Sequence, residues 1–176
     1  MPFNSVVTDL VNAYPGQLAE PFAPKFARSV LVETAIKAGR LAKRGTDKDD
    51  QISPVTSGDT VIPANLAGIV LLSTSRPYEQ TDGGSGIEAG NTASVLRLGS
   101  VYLEFSEAVT AGEDVAIVLA TGAFKGYAAG TAAGAITTGE VIVPGLRIAS
   151  TTTAAGCAIV EVNLFGNQDA ATIGSL

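Results

Sequence analysis

Histidine is missing from this 176-residue chain, and cysteine occurs once. Without an imidazole, the chain has no Ser–His–Asp or Cys–His pair for nucleophilic catalysis and no His-ligated zinc site. The single thiol, Cys157, rules out an internal disulfide and a thiolate metal cluster, and its small apolar neighbours favour a buried hydrophobe. These absences exclude most catalytic and metal chemistry, so we expect no catalytic, metal-ligating or cofactor-binding residues.

Carboxylates are the acid–base groups that remain. Glu104 lies on the polar side of an alternating segment, whereas Glu113 and Asp114 follow a glycine in a turn-like stretch. Positions of this kind usually hold solvated surface acids rather than a catalytic pair. An enzyme that works with carboxylates alone is therefore the least favoured function, and loss of any turnover on Glu113→Gln would revive it.

Positive charge is scarce, and it is concentrated near the start. Residues 1–50 carry seven Lys or Arg against six Asp or Glu, whereas residues 51–176 carry four against eleven. An acidic body repels phosphate, so nucleic acid is not an expected partner. The basic residues of GRLAKRG (39–45) are followed closely by Asp47, Asp49 and Asp50. This pattern favours a solvated charged turn over a binding patch. No apolar run approaches the ~18–20 residues that cross a bilayer, so a membrane is not expected either.

The residues that are abundant are typical of β-structure. Tryptophan is absent and aromatic residues make up 6% of the chain, so that small and β-branched residues fill most positions. Segment 101–105 alternates, with Val101, Leu103 and Phe105 on one side and Tyr102 and Glu104 on the other. The second half offers further short strands at spacings near 8–15 residues. We therefore predict an all-β domain over residues 29–166, an antiparallel sandwich or barrel.

Several local features are predicted within this domain. Residues 29–46 read as two strands broken near Gly39, although a helix over 30–38 fits equally well. A turn is expected at 57–59, a strand at 67–72 and a hairpin turn at 121–122. The Gly-rich stretch 82–91 is expected to be a mobile loop, and residues 167–176 form a tail with no clear element.

The N-terminal 28 residues differ from the rest and predict an extended arm. A short helix could span 5–13, but Pro15, Pro21 and Pro24 disfavour helix and ladder pairing after it. The arm nevertheless carries more large apolar groups than a solvated tail needs, which predicts that it is buried against other chains. The predicted interface residues are Tyr14, Pro15, Gly16, Gln17, Leu18, Phe22 and Phe26.

Several motifs, taken in order, resemble one known family. YPGQLAE (14–20) is followed by AIKAGRLAKRGTDKDDQISPVTSGD (35–59), by TAGEDVAI (110–117), by a VPG step at 143–145 and by TAAGCAIVEVNLFG (153–166). In this order they are similar to the structural cement proteins of tailed-phage capsids. The resemblance spans about residues 12–165, while the loop at 82–91 and the strand after it have no counterpart in the family pattern.

This resemblance implies a non-enzymatic protein on the outer surface of the capsid in the virion. It implies that the chain clamps neighbouring subunits of the major capsid protein and forms a homo-oligomer, with a trimer favoured and a dimer as the alternative. The proline-rich arm suits such a role, because an arm stiffened by proline loses less conformational freedom when it binds.

A second function from another class is a carbohydrate-binding or adhesion module displayed on the virion. The sandwich-like pattern and the loop at 82–91 favour it, whereas the low aromatic content speaks against it. Glycan binding lost on Tyr78→Ala or Tyr127→Ala would support this alternative.

Overall fold

The residues that the structure describes form nine strands and almost no helix. The computed structural model describes residues 13–19, 25–62, 64–72 and 86–165. Apart from a short 3₁₀ turn at Ala133–Ala135, its regular elements are all strands, which confirms the predicted all-β class. The strands are β1 (Phe26–Val32), β2 (Leu41–Arg44), β3 (Gln51–Pro54), β4 (Leu66–Val70), β5 (Thr92–Phe105), β6 (Asp114–Val118), β7 (Ala123–Tyr127), β8 (Glu140–Ile148) and β9 (Gly156–Asn163).

Five strands close into a first ring. Its order is β1–β3–β2–β4–β5, and β5 returns to pair with β1. The β1–β3 pair is parallel, and the other pairs are antiparallel. Alternate residues fill the interior of this small ring with aliphatic side chains, among them Val30, Ala42, Ile52 and Val95. Closure removes free sheet edges, which are otherwise sites of uncontrolled association.

The remaining strands form a second ring that also uses β5. Its order is β5–β7–β6–β8–β9, and it closes through an antiparallel β9–β5 ladder of eight residue pairs. The β5–β7 contact is a single parallel pair, Phe105 with Phe124. Of the two predicted alternatives, sandwich and barrel, the structure shows the barrel, because its strands pair in closed circuits rather than in two stacked sheets.

The long strand β5 joins the two rings. Its first half pairs with β1 and its second half with β9, and Leu98 pairs with residues of both. A large apolar core fills the second ring and extends to the outer side of the first, where it includes Leu41, Leu66 and Ile69. The two rings therefore share one core, and they pack as a unit.

Most local predictions are confirmed. Strands β1 and β2 lie on either side of Gly39, so the helical alternative over 30–38 is wrong, and Gly39 has the positive φ of a turn. The turn at 57–58 and the hairpin turn between β6 and β7 are present. One face assignment is wrong: Tyr102, expected on the polar side of β5, is buried, because both sides of β5 are covered by protein at this point.

The Gly-rich stretch differs from its prediction where the structure describes it. Ile87 forms an isolated antiparallel bridge with Ile36, and both side chains are buried in the interior of the first ring. Residues 86–91 are therefore anchored by backbone and side chain. Residues 82–85, the tail 167–176 and nearly all of the helix predicted over 5–13 lie outside the described residues. In the described part of the chain, no helix is long and apolar enough to span a membrane.

Candidate functional site

Residues 14–19, which we name the latch, lie on the protein's own sheet. The N–H of Gly16 donates to the carbonyl of Tyr102 at 2.8 Å, and the carbonyl of Gly16 accepts from the N–H of Leu72 at 2.8 Å. Leu18 forms an isolated antiparallel bridge with Val101. The expectation that the prolines keep this stretch from pairing is wrong for residues 16–19.

The reason lies in the conformation of the YPGQ motif. The N–H of Gln17 donates to the carbonyl of Tyr14 at 3.0 Å, which closes a four-residue turn. Pro15 occupies the second position of this turn, where its missing N–H is not needed, and Gly16 occupies the third with φ +83°. Proline followed by glycine at these positions is the signature of a type II turn. The dipeptide Pro15–Gly16 is thus a local signal for a turn that the sequence-based prediction of an extended arm overlooked.

The close contact between Gly16 and Gly39 fixes the position of the latch. A Cβ atom built on Gly16 would lie 2.7 Å from the nitrogen of Gly39 and 2.8 Å from the carbonyl oxygen of Val70. Gly39 in turn donates its N–H to Val70 at 2.8 Å. The turn backbone therefore packs directly on the break between β1 and β2, which leaves no room for a side chain at Gly16.

The predicted interface residues fall into two groups. Gly16 is buried, and the half-buried Leu18 packs against the large core, so both serve the internal packing of the latch. Tyr14 and Phe26 expose 44% and 46% of their surface and remain free for contacts. Pro15 and Gln17 are half-buried, and Phe22 lies outside the described residues.

Phe26 belongs to a cluster of exposed apolar side chains, the aromatic patch, made of Phe26, Leu98 and Phe165. The rings of Phe26 and Phe165 meet edge to face with centroids 5.0 Å apart. Phe165 is 51% exposed, and the guanidinium carbon of Arg97 lies 4.4 Å from its ring centroid. The patch lies where β1, β5 and β9 meet, so strands of both rings position it.

Sequence reasoning missed Phe165. It follows Leu164, which continues the buried alternation of β9, so Phe165 should point away from the core. A large aromatic residue at an outward position was the available signal. Its partner Phe26, however, lies at the other end of the chain, and no local pattern pairs them.

Lys43 of the charged cluster around 39–50 is paired within the protein. Its ammonium group lies 2.7 Å from Asp59, whereas Arg44 lies 3.7 Å from the largely exposed Asp49. Burial alone would raise the pKa of Asp59. Hydrogen bonds from Lys43 and from the N–H and hydroxyl of Thr56 outweigh burial, so the pKa of Asp59 lies below its ordinary value. The predicted charged turn is wrong for Leu41–Arg44, because these residues form strand β2.

Asp59 should therefore contribute stability that depends on pH. Because the pKa of its carboxyl group is lowered by folding, the contribution is present above about pH 4 and is lost as the pH falls through the folded-state pKa. We expect Asp59→Asn to destabilise the protein by about 1 kcal/mol at pH 7, with the difference from the parent chain shrinking as the pH falls below about 4. Urea unfolding of both proteins at several pH values measures this, and a difference that persists unchanged at pH 2.5 would contradict it.

The Tyr127 side chain has a structural task. Its hydroxyl donates to the buried carboxylate of Glu140 at 2.6 Å, and the Lys125 ammonium group donates to the same carboxylate at 2.7 Å. The backbone N–H of Thr137 donates to the Tyr127 oxygen at 3.2 Å, which holds the segment before β8 in place. Tyr127 is thus engaged inside the fold. Tyr78, the other tyrosine of the carbohydrate hypothesis, lies outside the described residues.

The acids that were weighed for catalysis are dispersed. Glu113 accepts the N–H of Thr110 at 2.9 Å within a turn, Asp114 accepts the N–H of Gly130 at 3.2 Å, and Glu104 is exposed on β5. Among the residues that the structure describes, no group of three or more His, Cys, Asp or Glu side chains could hold a metal ion. What this chain presents to its surroundings is a surface for contacts.

The chain belongs to the phage structural cement proteins, since the family model described as structural cement protein (E217 gp24/Pam3 gp6) matches residues 3–163. The resemblance found in the sequence is thereby confirmed. Members of this family have a non-enzymatic structural role, and the protein is a virion component associated with the capsid shell.

A solved phage capsid structure contains a chain with a similar fold. A chain in "The capsid of Myoviridae Phage XM1" superimposes with a TM-score of 0.64 and 19% identity, covering 94% of this chain and 100% of that one. The head fiber gp8.5 N base of bacteriophage phi29 gives a TM-score of 0.45 with 10% identity, over 80% of this chain and 96% of that one. The first likeness supports the fold, and the second is too distant to define a shared one. No match was found among the curated proteins.

Proposed function

We propose that this cement protein binds the outer face of the icosahedral shell and clamps neighbouring major capsid protein subunits. The aromatic patch is the observation that carries the proposal. Two half-exposed phenylalanine rings in mutual contact form the kind of anchor that dominates protein–protein affinity, since each can still bury about half of the roughly 150–250 Å² of an aromatic side chain. Left in water, such an apolar cluster is unfavourable, and a partner surface would cover it.

The patch is held in place before binding. Phe26 pairs with Leu98 in the β1–β5 ladder. The N–H of Phe165 donates to the side-chain oxygen of Asn163 at 3.3 Å, which fixes the chain just beyond β9. A preorganised surface loses little conformational entropy when it docks, so more of the contact energy appears as affinity.

The predicted interface residues take more specific roles in this proposal. Tyr14 and Phe26 contact a neighbouring subunit through their side chains, while Gly16 and Leu18 hold the latch that presents Tyr14. Phe22 lies between the latch and β1, close in sequence to the patch. Within residues 1–28, the latch is thus held on the protein's own sheet, and the exposed side chains of Tyr14 and Phe26 are available to a partner.

The distribution of charge supports one orientation of the protein on the shell. The acidic excess lies in residues 51–176, which include the whole second ring, whereas the first ring holds most of the basic residues. We infer that the patch and the first ring face the shell and that the acidic second ring faces outward. The family resemblance favours a homo-oligomer on the shell, a trimer or alternatively a dimer, and the repeated weak contacts of such an oligomer with a lattice would add through effective concentration.

Binding to shells that lack the protein tests this function. Purified full-length chain is mixed with empty, undecorated shells and sedimented, and bound protein is quantified against free protein. We expect saturable binding with a fixed number of copies per shell and an increased resistance of the decorated shells to heat. Absence of saturable binding, or binding that leaves shell stability unchanged, would contradict the proposal.

A further inference from the structure

Three arginines meet at one end of the first ring. Arg28 lies near the start of β1, Arg44 at the end of β2 and Arg97 on β5. The strand directions bring these three positions to the same end of the ring, because β2 and β5 both run opposite to β1. Each arginine lies two residues from an interior side chain of its own strand: Val30, Ala42 and Val95, respectively. Since side chains alternate along a strand, the arginines continue the interior rows to the mouth of the ring.

These guanidinium groups have few partners among the residues that the structure describes. Within those residues, the Nε atoms of all three arginines, and Nη2 of Arg28, are buried from solvent without a hydrogen-bond partner. Arg97 donates through Nη2 to the carbonyl of Leu164 at 3.2 Å, and Arg44 has the loose contact with Asp49. Burial lowers the pKa of Arg97, and the charges of Arg44 and Arg28 lower it further, which agrees with their proximity.

Such an arrangement is costly unless an anion completes it. Buried N–H donors without acceptors destabilise a fold, and like charges brought together out of water add to that cost. Guanidinium groups bind carboxylates and other oxyanions through paired N–H bonds, so one oxyanion can satisfy several of them at once. The three arginines therefore have the composition and placement of an oxyanion site.

The structure assigns to this mouth a specific occupant: a carboxylate of the protein surface on which the chain docks, bound by Arg28, Arg44 and Arg97. Two observations favour this source. Arg97 lies over the ring of Phe165, so a surface that covers the aromatic patch also reaches the mouth. The net charge of the chain, −6, disfavours the phosphates of a nucleic acid as its source. The assignment of the source rests on the proposed function, whereas the existence of the site does not.

Sulfate is a probe for the site in the isolated protein. Thermal unfolding of the full chain is followed in 0–20 mM sodium sulfate, with ionic strength held constant by sodium chloride. We expect a saturable rise of about 3–5 °C in the melting temperature of the parent chain. Arg97→Gln and Arg28→Gln should abolish it, while their melting temperatures in chloride alone stay level or rise, because a buried like charge has been removed.

Arg147→Gln, which changes an exposed arginine of the second ring, is the matched control and should keep the full response. Equal responses in the parent chain, Arg97→Gln and Arg28→Gln would overturn the site. Circular dichroism of each variant shows whether it is folded, and the two independent arginine variants keep the test decisive if one of them fails to fold.

Shell binding then tests the source of the carboxylate. We expect 20 mM sulfate to weaken the binding of the parent chain to undecorated shells by about 10-fold, and Arg97→Gln to weaken it similarly without further loss in sulfate. Sulfate could stabilise the isolated protein while neither sulfate nor Arg97→Gln weakens its binding to the shells. In that case the docking surface does not supply the oxyanion, and the assignment is overturned. If the parent chain binds no shells at all, the proposed function fails while the sulfate response still establishes the site.

Discussion

Replacing Gly16 by alanine is expected to lower the melting temperature by about 4–20 °C. A non-glycine residue at φ +83° costs about 1–2 kcal/mol, and a methyl group forced against the backbone at 2.7–2.8 Å adds about 1–3 kcal/mol. For a domain of this size, each kcal/mol corresponds to about 2–4 °C. Differential scanning calorimetry of the purified full chain measures the shift.

Gly58→Ala is the matched control. Gly58 also has a positive φ, +92°, but a Cβ atom there would have nothing within 4 Å. It should therefore show the conformational cost alone, a decrease of about 2–6 °C. If the two variants melted at the same temperature, the latch would not be packed against Gly39 in solution, and the internal role of the YPGQ motif would be wrong.

The second large effect concerns binding to the shell. Phe26→Ser and Phe165→Ser should each weaken binding to undecorated shells by about 30-fold or more, because the removal of a central aromatic anchor typically costs 2 kcal/mol or more. The stability of the free protein should change little, since both rings are about half exposed. Quantitative sedimentation with shells, together with calorimetry of each variant, separates the two effects.

Leu31→Ser is the control for this experiment. Leu31 lies on the same strand as Phe26 and is comparably exposed, at 39%, but it pairs with Thr92, toward the other end of the ladder. We expect its shell affinity to stay within about threefold of the parent chain. Loss of affinity in Leu31→Ser equal to that in Phe26→Ser, or normal affinity in both patch variants, would place the contact surface elsewhere.

The strands could be predicted because their signals are local. Val101, Leu103 and Phe105 face the core as the alternation of segment 101–105 predicts, and the turn at Gly39 separates two strands as expected. Period-two alternation reports which side of a strand is buried, and it needs no knowledge of the strand's partners. This is why the all-β class and most element positions were accessible from the sequence.

Ring closure was not accessible, because it depends on which strands pair. The parallel β1–β3 pair and the return of β5 to β1 join segments far apart in the chain, and nothing in either segment identifies the other. The burial of Tyr102 follows from the same cause. When protein covers both sides of a strand, residues on its polar side are buried as well. The sequence of the strand does not show this, because it depends on which other segments pack there.

The latch shows how a local interpretation can be right in part. The prolines do prevent a regular strand, but a single type II turn places Gly16 where its backbone can bond to Tyr102 and Leu72. Those acceptor and donor groups belong to segments far away in the chain, so the local sequence of the latch could not show that it packs on them. The proposal consequently moves from a free arm that needs other chains for shelter to an anchored latch beside an exposed aromatic patch.

The clamp itself is tested most directly by a cryo-electron microscopy reconstruction of shells saturated with the purified protein. The account predicts density on the outer face that bridges adjacent shell subunits, with Phe26 and Phe165 buried at the contact and the second ring pointing away from the shell. Density confined to a single shell subunit, or a docked orientation that leaves the aromatic patch in solvent, would contradict it.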